Sequence, residues 1–92
     1  MKYYEWNDEK NEMLKKTRGV SFEEVTLAIA LGDLIDRVKH PNPEKYPHQK
    51  VFLVKMEEYI YSVPYVEDND KIFLKTIIPN SKATKKYLGG KK

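Results

Sequence analysis

The most specific local signal in this chain is the stretch Gly19-Val20-Ser21-Phe22-Glu23-Glu24-Val25. Ser21 followed three residues later by Glu24 is the pattern of a capping box, in which each side chain accepts a hydrogen bond from the other residue's backbone N–H. Val20 and Val25 have the spacing of a hydrophobic staple. The stretch therefore predicts that a helix begins here and ends at the next glycine, and capping explains both glutamates more simply than acid–base chemistry does.

The residues upstream of this stretch predict a strand and a polar helix. Residues 2–6 are rich in aromatic side chains, which is typical of a short strand. Asn7 is placed to cap a helix that offers only Met13 and Leu14 to a core. This helix ends in Lys15-Lys16-Thr17-Arg18, where the negative end of the helix dipole favours cations. The same cations are candidates for contact with RNA, and the sequence leaves both interpretations open.

Downstream of the capping stretch, the sequence changes to strand-like runs. Residues 34–39 predict a strand, and the three prolines within residues 40–48 predict an irregular surface loop. Three further apolar runs, 51–56, 59–66 and 72–78, are separated by acidic segments of hairpin length. Together the four runs predict a four-stranded antiparallel meander. Pro64 requires an edge position or a bulge within its run.

Basic residues are concentrated at the end of the chain. Residues 71–92 contain seven lysines and no acidic residue, whereas residues 1–70 contain ten basic and fourteen acidic residues. Ser81 is placed to cap a short helix that ends at Gly89-Gly90, and we expect residues 89–92 to form a flexible tail. Lys82, Lys85 and Lys86 share one side of this helix. A positive field concentrated in this way attracts polyanions such as nucleic acid.

Composition limits the class of protein and the kinds of site. The 92 residues are 40% hydrophobic and 34% charged, which is typical of one globular domain. The chain has no cysteine, which excludes disulfides, thiolate catalysis and cysteine-based zinc sites. His40 and His48 are too few for a histidine metal motif. No apolar run approaches the ~20 residues of a transmembrane helix, and we expect a cytoplasmic protein without a metal or cofactor.

Three separated segments resemble the BrnT-type toxins of bacterial type II toxin–antitoxin systems: Tyr4-Glu5-Trp6-Asn7, residues 11–16 leading into residues 19–24, and Ile77-Ile78 with residues 81–87. The resemblance covers nearly the whole chain in order and spacing. It implies a single BrnT-like domain over residues 1–92 with a small RelE-like α+β fold. The expected elements are a short N-terminal strand, two helices, the antiparallel meander and a short basic C-terminal helix. It also implies an endoribonuclease toxin that inhibits translation, with a small antitoxin protein as its partner in a heterotetramer.

The chain departs from the family pattern in two places. The family often has Lys-His before the glycine, where this chain has Lys16-Thr17-Arg18, so the histidine is missing. The family often has arginine in the terminal basic segment, where this chain has Lys82, Lys85 and Lys86. Because lysine lacks the bidentate fork of arginine, we expect looser positioning of a phosphate than in the family, or a weak toxin.

RelE-like enzymes, which the chain resembles, cleave RNA without a metal by attack of the ribose 2′-OH on the adjacent phosphate. This chemistry needs a general base, a general acid and cations that offset charge on the phosphorane. Lys50 and Lys82 are candidates for the base if neighbouring cations reduce their proton affinity, and Tyr87 is a candidate for the acid or for base stacking. His48 is a further catalytic candidate because its ordinary pKa lies near neutrality. The candidates for positioning RNA phosphates are Lys15, Lys16, Arg18, Lys75, Lys85 and Lys86.

Plainer interpretations compete with these assignments. Tyr87 can pack the last helix on the sheet, and His48 can be an ordinary loop residue. Tyrosines recur at even spacing in the run 59–66. They form either a base-stacking platform or ordinary sheet packing, and they are Tyr59, Tyr61 and Tyr65. At the level of the whole protein, the alternatives are a non-catalytic nucleic-acid-binding or antitoxin-binding module, and a lysine surface that binds an acidic protein. The active-site hypothesis requires the basic residues at the end of the first helix to converge with those of the last.

Overall fold

A computed structural model describes residues 2–89 of the chain. Within these residues, the elements in chain order are β1 (Tyr3–Glu5), α1 (Asp8–Arg18), α2 (Phe22–Ala30), β2 (Leu34–Lys39), β3 (Lys50–Met56), β4 (Tyr59–Glu67), β5 (Lys71–Leu74), β6 (Ile78–Pro79) and α3 (Ser81–Tyr87). The predicted α+β class is confirmed.

The strands form one mixed sheet in the spatial order β1-β5-β4-β3-β2, with β6 paired to β4 beside this path. The pairs β2–β3, β3–β4 and β4–β5 are antiparallel, whereas β1 runs parallel to β5. A parallel pair needs a long connection, which here contains all the elements from α1 to β4. The sequence predicted β1 but not its partner, because three residues do not specify an orientation.

The prediction of a single strand over residues 72–78 is wrong, because this segment is divided into β5 and β6. Pro64 of β4 explains the break. Its carbonyl accepts a hydrogen bond from the Lys75 N–H (2.8 Å), so this side of Pro64 faces the end of β5. The N–H and C=O groups of a strand residue point to the same side, and proline has no N–H to continue the ladder there. The proline therefore lies in an inner strand, and the neighbouring strand is interrupted instead.

The two faces of the sheet are covered by different helices. On the first, which we call the α1/α2 face, the main core joins α1 and α2 to Phe52, Val54, Val63 and Tyr65. On the second, the α3 face, a smaller cluster joins Ala83 of α3 to Val51, Leu53 and Ile60. Successive residues of a strand point to opposite faces, so the uninterrupted apolar run of β3 serves both cores.

Ser21 caps α2 as the sequence predicted. Its hydroxyl accepts a hydrogen bond from the Glu24 N–H (3.2 Å), and the Glu24 carboxylate accepts one from the Ser21 N–H (3.0 Å), so the capping box is confirmed. The buried side chain of Asn11 joins α1 to this cap. Its carbonyl accepts a hydrogen bond from the Phe22 N–H (2.8 Å), and its amide donates one to Glu23 (2.8 Å). The start of α2 is therefore fixed from both helices.

Smaller predictions at the helices need correction. Met13, expected in the core, is 45% exposed. The cap of α3 is Asn80, whose side chain accepts a hydrogen bond from the first turn, whereas Ser81 is the first residue of the helix. Gly89 is the first residue of the expected flexible tail, and its N–H donates a hydrogen bond to the Thr84 carbonyl of α3 (2.9 Å). Residues 90–92 lie outside the described residues.

Candidate functional site

At one end of the α1/α2 face, exposed charged side chains take the place of the buried core. Arg37 of β2 pairs with Phe52 of β3, and Lys50 of β3 pairs with Tyr65 of β4. Directly paired residues lie on the same face, and Glu67 follows two residues after Tyr65. Arg37, Lys50 and Glu67 therefore lie on the same face of three neighbouring strands, and all three are exposed. We call Arg37, Lys50, Tyr65 and Glu67 the Glu67 cluster.

Aromatic rings form the floor of the Glu67 cluster. The rings of Phe52 and Tyr65 stack with their centroids 3.9 Å apart and an angle of 9° between their planes. The guanidinium carbon of Arg37 lies 5.9 Å from the centroid of the Phe52 ring, which is within the range of a cation–π contact. A cavity of about 70 Å³ opens between these rings, Tyr4 of β1 and Ile29 of α2. The guanidinium is thus held against the sheet while the residue remains exposed.

The carboxylate of the cluster is ionised and paired with a cation. Lys2 Nζ lies 2.5 Å from Glu67 Oε2 and donates a hydrogen bond to it. This hydrogen bond is the main cause that holds the pKa of Glu67 below its ordinary value. Partial desolvation opposes it, and the positive charges of Lys2, Lys50 and Arg37 lower the pKa further. Glu67 is therefore available as an acceptor at neutral pH, with a proton affinity reduced by its neighbours.

The phenol of the cluster has the opposite tendency. Burial raises the pKa of Tyr65, and the negative charge of Glu67 raises it further, whereas the charge of Arg37 lowers it. The phenol therefore remains protonated at neutral pH. The cluster thus combines two cations, an ionised carboxylate and a neutral phenol. The exposed cations can bind a phosphate diester, and the carboxylate can accept a proton from a hydroxyl group beside it.

The described residues do not point to a metal centre. Within residues 2–89, no group of three or more His, Cys, Asp or Glu side chains is placed to hold a metal ion. Glu67 has cations around it rather than a second carboxylate, which is the wrong environment for a divalent ion.

The structure separates the four predicted catalytic residues. Lys50 lies in the Glu67 cluster, and His48 is an exposed residue of the loop that precedes β3. Lys82 and Tyr87 belong to α3, which packs on the opposite face of the sheet. Tyr87 is 39% exposed, and Lys86 Nζ lies 5.4 Å from the centroid of its ring. The predicted base Lys50 and the predicted acid Tyr87 are thus not on one face.

The cations at the end of α1 have structural contacts of their own. Lys15 Nζ lies 3.2 Å from Glu12 Oε2, and the hydrogen bond to Glu12 raises the pKa of Lys15. Lys16 is exposed. Arg18 Nη1 donates a hydrogen bond to the Ile77 carbonyl (2.5 Å) and so ties the end of α1 to the segment between β5 and β6. The hydrogen bond to Ile77 therefore supports a structural role for Arg18 over contact with RNA.

The remaining predicted RNA-binding residues divide between the two faces. Lys75 lines a shallow pocket together with the first half of α1. Lys85 and Lys86 lie on α3, across the sheet from α1. The expectation that the basic end of α1 shares a face with the α3 lysines is therefore wrong, because the sheet separates the two helices. The active-site hypothesis that joined these two clusters fails with it. The prediction failed because the sequence does not specify the side of the sheet on which α3 packs.

Even spacing of tyrosines in β4 does not produce an exposed platform. Tyr65 is buried in the main core at 2% exposure, so sheet packing is the correct interpretation of this residue. Tyr59 and Tyr61 are half-buried and contact each other edge to face, with their ring centroids 5.5 Å apart. Burial is also the main cause that raises the pKa of Tyr61.

Sequence reasoning missed Arg37 and Glu67. Both lie in strands that the sequence predicted, and the alternation of side chains alone places Glu67 on the same face as Tyr65. The missing information was the register between β2 and β3. The proline-rich loop that joins these strands is irregular, so its length does not fix which residue of β2 lies opposite Phe52.

No protein-family model matches the chain, and no curated protein and no solved structure shows a significant match to it. Within residues 2–89, no helix is long and apolar enough to cross a membrane.

Proposed function

We propose that the chain is a metal-independent endoribonuclease whose active site is the Glu67 cluster. The observation that carries this proposal is the placement of Arg37, Lys50 and Glu67 on one face of three neighbouring strands. A carboxylate between cations supplies the groups that attack of a 2′-OH on the adjacent phosphate needs. The exposure of all three residues leaves space for single-stranded RNA at this end of the sheet.

Each charged residue has a role in this reaction. Glu67 accepts the proton of the attacking 2′-OH, after the hydroxyl has displaced Lys2 from one carboxylate oxygen. Arg37 binds the scissile phosphate and offsets the charge of the phosphorane. The Lys50 ammonium donates a proton to the leaving 5′ oxygen. A P–O2′ bond forms while the P–O5′ bond breaks, which leaves a 2′,3′-cyclic phosphate and a 5′-hydroxyl.

The cellular role belongs to the same proposal. The chain is a toxin of a bacterial type II toxin–antitoxin system that acts in the cytoplasm, inhibits translation by cleaving RNA, and is neutralised by a small antitoxin in a heterotetramer. Support comes from the resemblance of three sequence segments to BrnT-type toxins. A RelE-like domain is also supported by two helices packed on one face of a sheet in which β2 to β5 pair antiparallel in chain order.

A second candidate function is a non-catalytic module that binds nucleic acid or an antitoxin. The observation that favours it is the ion pair between Lys2 and Glu67, because a carboxylate with a lowered pKa is a weaker base. The histidine missing before Gly19 favours it as well. Such a module keeps the affinity of its cations for phosphate but has no group that removes the proton of the 2′-OH.

The test is single-turnover cleavage of a fluorescently labelled single-stranded RNA by the purified chain in EDTA. The proposal expects products that end in a 2′,3′-cyclic phosphate. Glu67→Gln and Lys50→Gln should each lower the cleavage rate by about 10²–10⁴-fold, because each removes a proton-transfer group. Lys10→Gln is the matched control, since it removes one positive charge from α1 outside the cluster and should leave the rate unchanged.

The two candidate functions give different results. RNA binding that weakens with salt while the wild-type chain forms no product contradicts the endoribonuclease and supports the non-catalytic module. Cleavage that survives Glu67→Gln and Lys50→Gln but is lost with Lys82→Gln or Tyr87→Phe places the active site on α3 instead.

A further inference from the structure

An open apolar groove lies beside α3, on the face of the sheet opposite to the Glu67 cluster. Its volume is about 660 Å³. Its buried apolar lining residues are Val51, Leu53 and Pro64, and its exposed ones include Val38 and Ile78. With only seven residues, α3 covers part of this face and leaves the rest open. We call this feature the α3 groove.

Aliphatic side chains along the α3 groove are exposed rather than packed. Val38 is 37% exposed and Ile78 is 43% exposed, although both lie in strands. Single exposed apolar residues are ordinary on a protein surface, whereas these two border one groove that has a buried apolar floor. A partner that covered these residues would bury the apolar side chains of this face, as α1 and α2 bury those of the other face.

The border of the α3 groove is positively charged. Lys82 and His40 line it, and no acidic residue belongs to its lining among residues 2–89. Lys39 also borders the groove, but it pairs with Lys50, so its side chain lies on the opposite face of the sheet. Lys85 and Lys86 extend this positive surface, since they lie one turn further along α3. A ligand that fills the apolar floor and also brings carboxylates to the rim is complementary to both parts of the groove.

The lining of the groove favours a protein segment over RNA. RNA bases bind by stacking on aromatic rings or on the guanidinium of arginine. Within the described residues, the lining contains no Phe, Tyr, Trp or Arg, and the ring of His40 already contacts Tyr46 with centroids 4.4 Å apart. The groove is half open along the sheet rather than enclosed, and a peptide segment can lie along it.

We propose that the α3 groove binds a segment of a partner protein in which large aliphatic side chains are flanked by Asp or Glu. The aliphatic side chains of the segment fill the space above Val51 and Leu53. Its carboxylates pair with Lys82 and with Lys85 and Lys86 of α3. Because the Glu67 cluster lies across the sheet, the groove binds this segment whether or not the chain cleaves RNA.

The experiment selects peptides on the intact chain. A phage library of random dodecapeptides is panned against the immobilised wild-type protein, with the Ile78→Asp variant as counter-selection. The selected peptides should be enriched in Leu or Ile together with Asp or Glu. A fluorescein-labelled copy of the most enriched peptide should then bind the wild type in anisotropy titrations, with a Kd that rises at least about tenfold for Ile78→Asp and for Lys82→Glu.

Matched variants separate the groove from a general effect of charge or folding. Leu27→Asp introduces the same charge at a residue of α2 that is 59% exposed, and it should leave the Kd unchanged. A peptide with its carboxylates changed to lysine should bind the wild type more weakly than the original peptide does. It should bind the Lys82→Glu variant more tightly than it binds the wild type. Val38→Asp is a second variant of the apolar lining if Ile78→Asp does not fold.

Several results overturn the proposal. One is a selection without acidic and aliphatic enrichment, and another is equal binding of the selected peptide to the wild type and to both groove variants. Binding of fluorescein-labelled oligouridylate that is lost in Ile78→Asp and Lys82→Glu shows that the groove is an RNA site. Self-association in sedimentation that Ile78→Asp abolishes shows that the occupant is a second copy of this chain.

Discussion

The two faces of the sheet differ in how far helices cover them. On one face, α1 and α2, with eleven and nine residues, close a core in which Phe22 is fully buried and Leu14 is 1% exposed. On the other, the seven residues of α3 leave an apolar groove of about 660 Å³. Both faces are built from the same strands, since alternate residues of β3 point to each of them.

The two faces are open at chemically different side chains, and the two proposed sites follow from this difference. The α1/α2 face is open where its side chains are charged, at Arg37, Lys50 and Glu67, and this surface suits a phosphate diester. The α3 face is open where its side chains are aliphatic, at Val38 and Ile78, and this surface suits a protein segment. One sheet can therefore carry two separate sites without a shared residue.

The largest expected effect is on the closed face. Phe22→Ala should lower the free energy of unfolding by about 3–5 kcal/mol, because it empties a closed part of the core and removes the stacking contact with Trp6 (5.6 Å between centroids). Leu53→Ala on the α3 face should cost only about 2 kcal/mol, at the lower end for such changes, because the new space joins the open groove. Urea denaturation of both variants measures the difference.

Leu27→Ala, on the exposed side of α2, should change the free energy of unfolding by less than about 0.5 kcal/mol. If Leu53→Ala costs as much as Phe22→Ala, the α3 face is closed in solution and the groove is not open to a ligand.

A smaller effect is expected where α1 and α2 meet. Asn11→Ala should cost about 1–3 kcal/mol, because the buried Phe22 N–H loses its acceptor. Asn11→Asp is the matched variant, since it keeps an acceptor oxygen for Phe22 but places a carboxylate against Glu23. A cost below that of an exposed substitution would show that water reaches this junction and that the closed face is less closed than its burial indicates.

The same variant has a predictable pH dependence. The hydrogen bond from Asn11 is the largest cause that holds the pKa of Glu23 below its ordinary value. A carboxyl with a lower pKa in the folded chain stabilises the fold above its unfolded pKa, about 4.3, and this contribution is lost as the pH falls through the folded pKa. The cost of Asn11→Ala should therefore be larger at neutral pH than in acid, in urea titrations at both pH values. An equal cost at both contradicts the assignment.

Local signals in the sequence predicted the parts of this fold that depend on neighbouring residues. The capping box at Ser21 and Glu24 acts within one helical turn, and it is present as predicted. The same is true of the helix over Asp8–Arg18, which begins after Asn7 and ends at Gly19 in a left-handed conformation (φ 69°). Patterns of this kind depend on residues that are three or four positions apart, which the sequence shows directly.

Long-range geometry was the part that the sequence could not show. The break opposite Pro64 depends on which strand faces its missing N–H, and the parallel pairing of β1 depends on where β5 lies. The candidate site needs the same kind of information. Arg37 becomes a neighbour of Phe52 only through the register of β2 on β3, and the α3 lysines are separated from α1 only because α3 packs on the other face.

The smallest expected effect concerns the charge of α3 and has the opposite sign. Lys82→Glu should raise the free energy of unfolding by about 0.5 kcal/mol at low salt, because it puts a carboxylate in the first turn of α3. It also replaces repulsion from Lys85 and Lys86 by attraction at helical spacing. Urea denaturation at low and high salt measures the gain, which should decrease as salt screens the charges.

In the Lys82→Glu variant, stability and binding should change in opposite directions. Lys82→Glu is expected to make the chain more stable and to weaken the binding of an acidic aliphatic peptide to the α3 groove. Loss of binding in a more stable protein cannot come from unfolding, so it reports on the groove itself. Lys82→Gln should give part of both effects, since it removes the repulsion without adding a carboxylate. A loss of stability in Lys82→Glu would mean instead that Lys82 holds a favourable contact that a partner's carboxylate would have to displace.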